Sequence, residues 1–189
     1  GKMAARGVSK RADYILYYKP NIPLAIIEAK DDSHELGDGM QQALEYAYIL
    51  QIPFVFSSNG DGFLFHDKTV ETGDIEQELS LDEFPSPETL WRKYLKENAL
   101  EAPLEKKIVE QEYYTDGSGM APRYYQVNAV NRTIEAIARG QERILLVMAT
   151  GTGKTYTAFN IVWRLWKAGI KKRILFLADR NALLSQAKN

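Results

Sequence analysis

The chain has no cysteine and only two histidines, His34 and His66. Disulfides and thiolate zinc sites are therefore excluded, and a reducing compartment, the cytoplasm, is expected. Each histidine falls in a loop or near a strand end and reads as an ordinary polar residue. No apolar run reaches the roughly 18 residues of a membrane span, and no signal-peptide core opens the sequence. Net charge is also nearly absent: 24 basic and 25 acidic side chains leave −1. Its distribution is less even. Residues 1–30 carry six bases (Lys2, Arg6, Lys10, Arg11, Lys19, Lys30) against two acids, Asp13 and Glu28, whereas residues 74–116 carry twelve acids against five bases. A basic end can meet a phosphate backbone while an acidic middle faces solvent; two ordinary solvated surfaces would look the same.

Hydrophobic residues make up 45% of the 189 positions, enough to build one ordinary domain or two small ones. Asp13 to Tyr18 is rich in aromatic and β-branched residues and reads as a strand. A break at Pro20 and Pro23 leads to a more buried strand, residues 24–30. Residues 36–50 repeat apolar positions at helical spacing, with Met40, Ala43, Leu44, Ala47 and Tyr48 as the inner face. Strands follow at 53–57 and 63–65, separated by a Gly/Asn/Asp turn. The expected order is β-β-α-β-β. Residues 71–122 read as a connector with one helix near 87–98, where Ser86 is the expected N-cap and Pro87 the first helical residue. From residue 123 the pattern changes. A helix at 125–139, an apolar run at 144–148, a helix at 154–168, a second apolar run at 173–177 and a helix at 181–188 form the start of a doubly wound parallel sheet. The fold class is thus α/β in two parts, 1–70 and 123–189.

Between the first apolar run and its helix stands Met148-Ala149-Thr150-Gly151-Thr152-Gly153-Lys154-Thr155. Gly-Lys-Thr alone is weak evidence; the strand running in and the helix running out give it weight. Glycines let backbone N–H groups close around phosphate oxygens, and the helix N-terminus adds partial positive charge. Thr150, Gly151, Thr152 and Gly153 would cradle the phosphates of ATP. Lys154 would reach the β/γ-phosphates, and the Thr155 hydroxyl would ligate magnesium. Met148 stands where the usual pattern opens with glycine.

In the first part, Glu28-Ala29-Lys30 places two polar side chains on one face of an otherwise apolar strand, since the strand period is two. Such residues need to pair or to bind metal. A hairpin would bring Asp13 beside Glu28. Asp13 and Glu28 could then hold magnesium, which would polarise a scissile phosphate, while Lys30 orients water or offsets transition-state charge. Gln42 and Tyr46 lie four apart on the following helix, hence on one face. A salt-bridged strand pair beneath an amphipathic helix is the plain structural alternative. Asp82-Glu83 precedes the phosphate loop and so cannot be the magnesium box of a motor.

The loop and its surroundings resemble motif I of superfamily 2 helicases and translocases. By that resemblance Gln126, in Arg123-Tyr124-Tyr125-Gln126, would read adenine, and Phe176-Leu177-Ala178-Asp179-Arg180-Asn181 would touch the DNA backbone. The order Asp13, Glu28-x-Lys30, Gln42-x-x-x-Tyr46 resembles the PD-(D/E)XK nucleases with a Gln-x-x-x-Tyr helix. A nuclease of that kind ahead of such a motor resembles the restriction (R) subunit of type I restriction enzymes. So do Lys10-Arg11-Ala12-Asp13-Tyr14, Gly37-Asp38-Gly39-Met40-Gln41-Gln42-Ala43 and Ser58-Asn59-Gly60-Asp61-Gly62-Phe63. The resemblance implies an ATP-dependent translocase that cleaves double-stranded DNA with magnesium, beside methyltransferase and specificity subunits. Only 67 residues follow Pro122, with no Asp-Glu box after the loop, so a fragment is expected. Two other readings stay open: a motor whose first part only binds or docks DNA, and a phosphate-loop protein or kinase unrelated to DNA.

Overall fold

The computed structural model describes residues 11–115, 117 and 121–177. The chain divides into two compact units, one of residues 1–18 and 23–94 and the other of residues 19–22 and 95–189.

The first unit is a five-stranded mixed sheet in chain order: β1 (Tyr14–Lys19), β2 (Ile22–Ala29), β3 (Phe54–Ser58), β4 (Gly62–Asp67) and β5 (Glu76–Ser80). Two residues separate β1 from β2, a connection that only antiparallel neighbours can use. β2 and β3 run parallel, so a crossover must join them, and the helix α1 (Met40–Leu50) supplies it. β3, β4 and β5 are antiparallel neighbours. The β-β-α-β-β reading therefore holds.

Strand alternation divides the core in two. Ile26 and Val55 face α1, which meets them with Met40, Ala43 and Ala47. The two alanines let the helix lie close on the sheet, and both are fully buried. On the opposite face Phe54, Phe56, Phe63 and Phe65 pack with Phe84; Phe56 and Phe65 stack at 4.5 Å. The helix α2 (Pro87–Glu97) packs here too: Trp91 stacks on Tyr18 at 4.5 Å, and Lys93 reaches Asp67 at 2.7 Å. Ser86 Oγ accepts from the Thr89 N–H at 3.2 Å and so caps α2 as expected. The helix expected from residue 36 starts only at Met40, because Gly37, Asp38 and Gly39 hold the preceding turn. β5 and a short 3₁₀ turn, Leu81–Glu83, lie in the stretch read as connector; the strand is exposed and polar, so its composition hid it. Glu83 caps that turn by accepting from Ser80 N–H and Oγ, which gives Glu83 a structural role. Those bonds hold the Glu83 carboxyl below its ordinary value.

In the second unit, α3 (Pro103–Val109), α4 (Tyr124–Ala138) and α5 (Lys154–Lys167) pack around a buried arginine. α3 also lay in the stretch read as connector; its seven residues are too short for a helical period to stand out. Arg164, 1% exposed, donates to Val109 O and Asn131 Oδ1, each at 2.7 Å, with its guanidinium over the Tyr113 ring. Tyr113 in turn donates to Asn131 Oδ1, and burial pushes its phenol above the ordinary range.

The two apolar runs of this unit depart from expectation. Residues 144–148 and 173–177, read as buried parallel strands, form no ladder with any described residue. Leu145, Val147, Leu175 and Leu177 are each more than 80% exposed, while Ile144, Leu146, Ile174 and Phe176 are about 40% exposed. That alternation is the period of an extended backbone with one sheltered side. Apolar content makes a strand only where a neighbour takes its hydrogen bonds, and no described strand does so here. The one sheet among the described residues is built from β1 to β5, and no doubly wound sheet forms among them. The helix expected at 181–188, and residues 178–181 of the second motor motif, lie outside the described residues.

Candidate functional site

Glu28 is the last inward residue of β2 and only 2% exposed. A carboxylate so placed is costly unless bonded. Its Oε1 accepts from Lys30 Nζ at 3.2 Å and from Gln42 Nε2. Gln42 Nε2 also donates to Tyr46 Oη at 3.2 Å. The other Glu28 oxygen, Oε2, is buried with no hydrogen-bond partner. Asp13, just before β1, accepts at Oδ2 from the Ala29 N–H at 3.0 Å. One backbone group therefore ties the Asp13 carboxylate to the residue between Glu28 and Lys30. The structure links all five residues singled out from sequence, Asp13, Glu28, Lys30, Gln42 and Tyr46: the hairpin brings Asp13 to Ala29, and α1 brings Gln42 and Tyr46 to Glu28. The alternating face is also as expected: Glu28 is buried while Ala29 is exposed.

The carboxylates present fit a divalent ion in one respect, the bare buried Oε2 of Glu28 beside the Asp13 end of the hairpin. The ligand set is small, since among the described residues no group of three or more His, Asp or Glu could hold a metal. Neither histidine takes part. His34 Nδ1 lies 2.8 Å from Asp31 Oδ1, and His66 Nδ1 lies 2.8 Å from Glu76 Oε1. Hydrogen bonds from Ser33 and His34 lower the exposed Asp31 carboxyl to about 2.

Sequence reasoning missed two neighbours of this site. Ser57 is the register partner of Glu28 across β2 and β3. Gly39, the N-cap of α1, donates its N–H to Ser57 Oγ at 3.1 Å. The signal was present as a glycine just ahead of the helix, but a glycine there is also an ordinary helix start.

In the second unit the glycine-rich loop of residues 148–155 reaches α5 at Gly153, the N-cap of that helix. Gly151 and Gly153 have φ of +80° and +85°, a conformation that residues with a Cβ rarely adopt. Lys154 folds back over the loop, donating to Ala149 O at 3.2 Å and Met148 O at 3.3 Å. Thr152 Oγ1 donates to Ala149 O at 2.6 Å, Thr150 is exposed, and Thr155 is half-buried in the first turn of α5. Gln126 is buried and uses both ends of its amide. Oε1 accepts from Arg123 N–H at 2.9 Å, capping α4, and Nε2 donates to Thr152 O at 2.8 Å. It is thus fastened to the loop rather than exposed on its helix.

Comparisons with known proteins follow the same division. The family model described as the type I restriction enzyme R protein N terminus matches residues 3–74. The model described as the type III restriction enzyme res subunit matches residues 119–189. The chain is 60% identical, over its whole length, to the type I restriction enzyme EcoAI endonuclease subunit of Escherichia coli. This chain belongs to the R subunits of type I restriction enzymes. It corresponds to the N-terminal region of such subunits. The EcoKI endonuclease subunit of Escherichia coli K12 is 38% identical over 72% of the chain. The chain spans 23% and 12% of the lengths of these two relatives. A solved fragment assigned as an HsdR subunit of a type I restriction enzyme, from Vibrio vulnificus YJ016, matches 87% of the chain and 30% of its own length, with a TM-score of 0.76 and 40% identity. No helix among the described residues of this R-subunit region is long and apolar enough to cross a membrane.

Proposed function

We propose that the first unit is the magnesium-dependent nuclease of a type I restriction enzyme and that the second begins its ATP-driven DNA translocase. The observation that carries the nuclease reading is the buried Glu28 carboxylate, with one oxygen held by Lys30 and Gln42 and the other bare. Asp13, Glu28 and the Ala29 carbonyl are the groups that would hold magnesium. Bound there, the ion would polarise the scissile phosphate of double-stranded DNA and lower the pKa of a bound water. Lys30 sits where its ammonium can orient that water or offset charge on the pentavalent phosphorus. Gln42 holds the Glu28 carboxylate in one orientation, and Tyr46 holds Gln42.

The left-handed glycines, the overlying Lys154 and the helix start at Gly153 support binding of the ATP phosphates in the second unit. Thr155 would ligate the accompanying magnesium. Gln126, beside the loop, would read adenine by exchanging one of its present bonds for the base. Partners supplying sequence recognition and modification, the specificity and methyltransferase subunits, follow from family membership.

The test is DNA cleavage by the full-length subunit assembled with both partners, with magnesium and ATP. Glu28→Gln is expected to abolish cleavage and to leave DNA-stimulated ATP hydrolysis near normal. Retained cleavage would overturn the nuclease assignment. The small ligand set favours a second reading, in which the first unit only binds or docks DNA. In that case no magnesium-dependent nicking appears in the wild type.

A further inference from the structure

Ser57 lies beside Glu28 in the sheet, on parallel neighbouring strands and the same face as α1. It is fully buried. Its hydroxyl oxygen accepts the N–H of Gly39, the residue from which α1 starts, and α1 has no side-chain cap of its own. The helix therefore begins at a point fixed by Ser57. Gly39 also approaches Glu28 closely. A Cβ there would lie 2.8 Å from Ser57 Oγ, 2.9 Å from Glu28 Cγ and 3.2 Å from Glu28 Cβ. Distances below 3.0 Å force something to move, and the atoms in the way are the stem of Glu28 and a fully buried hydroxyl. Three residues along α1, Gln42 delivers its amide to Glu28 Oε1.

We infer that Ser57 and Gly39 are a positioning pair for the candidate nuclease site. Ser57 sets where α1 begins, and Gly39 lets that beginning rest on Glu28. Together they keep Gln42 on Oε1 and leave Oε2 clear. Neither residue touches a reacting group; both act through Glu28 and Gln42. The inference rests on the nuclease reading above, and its test separates the two.

Ser57→Ala, Ser57→Thr and Gly39→Ala are made in the full-length subunit and assembled with the partner subunits. Three quantities are measured: the magnesium dependence of cleavage, manganese binding by calorimetry without nucleotide, and the melting temperature. Ser57→Ala and Gly39→Ala are expected to raise half-saturating magnesium and weaken manganese binding by about tenfold, the usual size for groups that orient metal ligands. Ser57→Thr keeps the acceptor oxygen and is expected to restore both. A lower melting temperature with unchanged ion dependence in both alanine variants would make the pair a plain helix start and overturn the inference. If Ser57→Ala does not assemble, Gly39→Ala against wild type decides in the same way. Cleavage that survives Glu28→Gln overturns the underlying nuclease reading instead.

Discussion

Lys30 Nζ and Gln42 Nε2 meet on one oxygen of Glu28, so strand and helix converge on a single carboxylate atom. Removing either donor should change the chemistry without dismantling the fold, because both side chains sit at the rim. Lys30→Ala is expected to lower cleavage by at least about a hundredfold, since a positioned transition-state donor contributes on that order. Gln42→Ala should cost less, because Lys30 still holds Oε1. ATP hydrolysis, proposed for the other unit, is expected to stay near wild type in both. A cleavage assay beside an ATPase assay checks this, and equal losses in the two activities would contradict it.

Asp67 and Lys93 give the first unit a defined acid sensitivity. Burial pushes the Asp67 carboxyl up, but hydrogen bonds from Lys93 and from Thr69 Oγ1 and N–H outweigh it and hold the group below its ordinary value. The unfolded value is about 3.9. The folded value is the lower one, so the stabilisation is complete above the unfolded value and is lost as pH falls through the folded one. Asp67→Asn is expected to destabilise the unit by about 1–3 kcal/mol near neutrality and to flatten the pH dependence below about pH 4. Melting curves of both proteins across that range test it.

The first unit was legible because its signals are local. Glu28 lies on, and Asp13 and Lys30 directly beside, two strands whose residue types and breaks announce a hairpin, and the period of two decides which side chains meet. Gln42 and Tyr46 follow from a helix repeat of four. What escaped was set by distant neighbours. Ser57 becomes part of the site only through a register that no single segment encodes. β5 is an exposed Glu-rich strand that pairs because β4 offers it an edge. The runs at 144–148 and 173–177 show the converse. Their composition suits buried strands, but burial depends on partners that the described residues do not provide.

Arg164 holds three helices through one guanidinium. Its charge is met by a helix-terminal carbonyl, an amide oxygen and the face of Tyr113. Arg164→Ala would take from Val109 O its Arg164 donor, leave Asn131 Oδ1 with the Tyr113 hydroxyl, and open a cavity beside Tyr113. The expected loss is roughly 3 kcal/mol or more. Arg164→Lys keeps the charge but cannot fork to two acceptors, so it should recover only part. Denaturant unfolding of the second unit's transition checks both. A melt of Arg164→Ala that overlies wild type would show that the network contributes nothing net.

Gly153 carries two constraints at once, and they make it the sharpest probe of the nucleotide loop. Its φ is +85°, and a Cβ added there would collide with the Gln126 amide nitrogen. Gly153→Ala must therefore both strain the backbone and push Gln126 off Thr152 O, the bond that fastens the loop to α4. Lys154→Ala removes the ammonium proposed to meet the β/γ-phosphates, together with its bonds to Met148 O and Ala149 O, but leaves the two glycines and the Gln126 bond in place. Both variants of the full-length subunit are expected to lose most ATP turnover, and with it translocation. They should differ in stability: Gly153→Ala lowers the melting temperature of the second unit, while Lys154→Ala lowers it less, because the two bonds it loses are solvent-exposed. The 189-residue chain alone is expected to bind ATP weakly and not to turn it over, with or without DNA, because no Asp-Glu pair follows the loop in its sequence to position the attacking water. Nucleotide binding by calorimetry and an ATPase assay on this chain separate the two steps. DNA-stimulated turnover by it, abolished by Lys154→Ala, would show that other residues of the chain position the water.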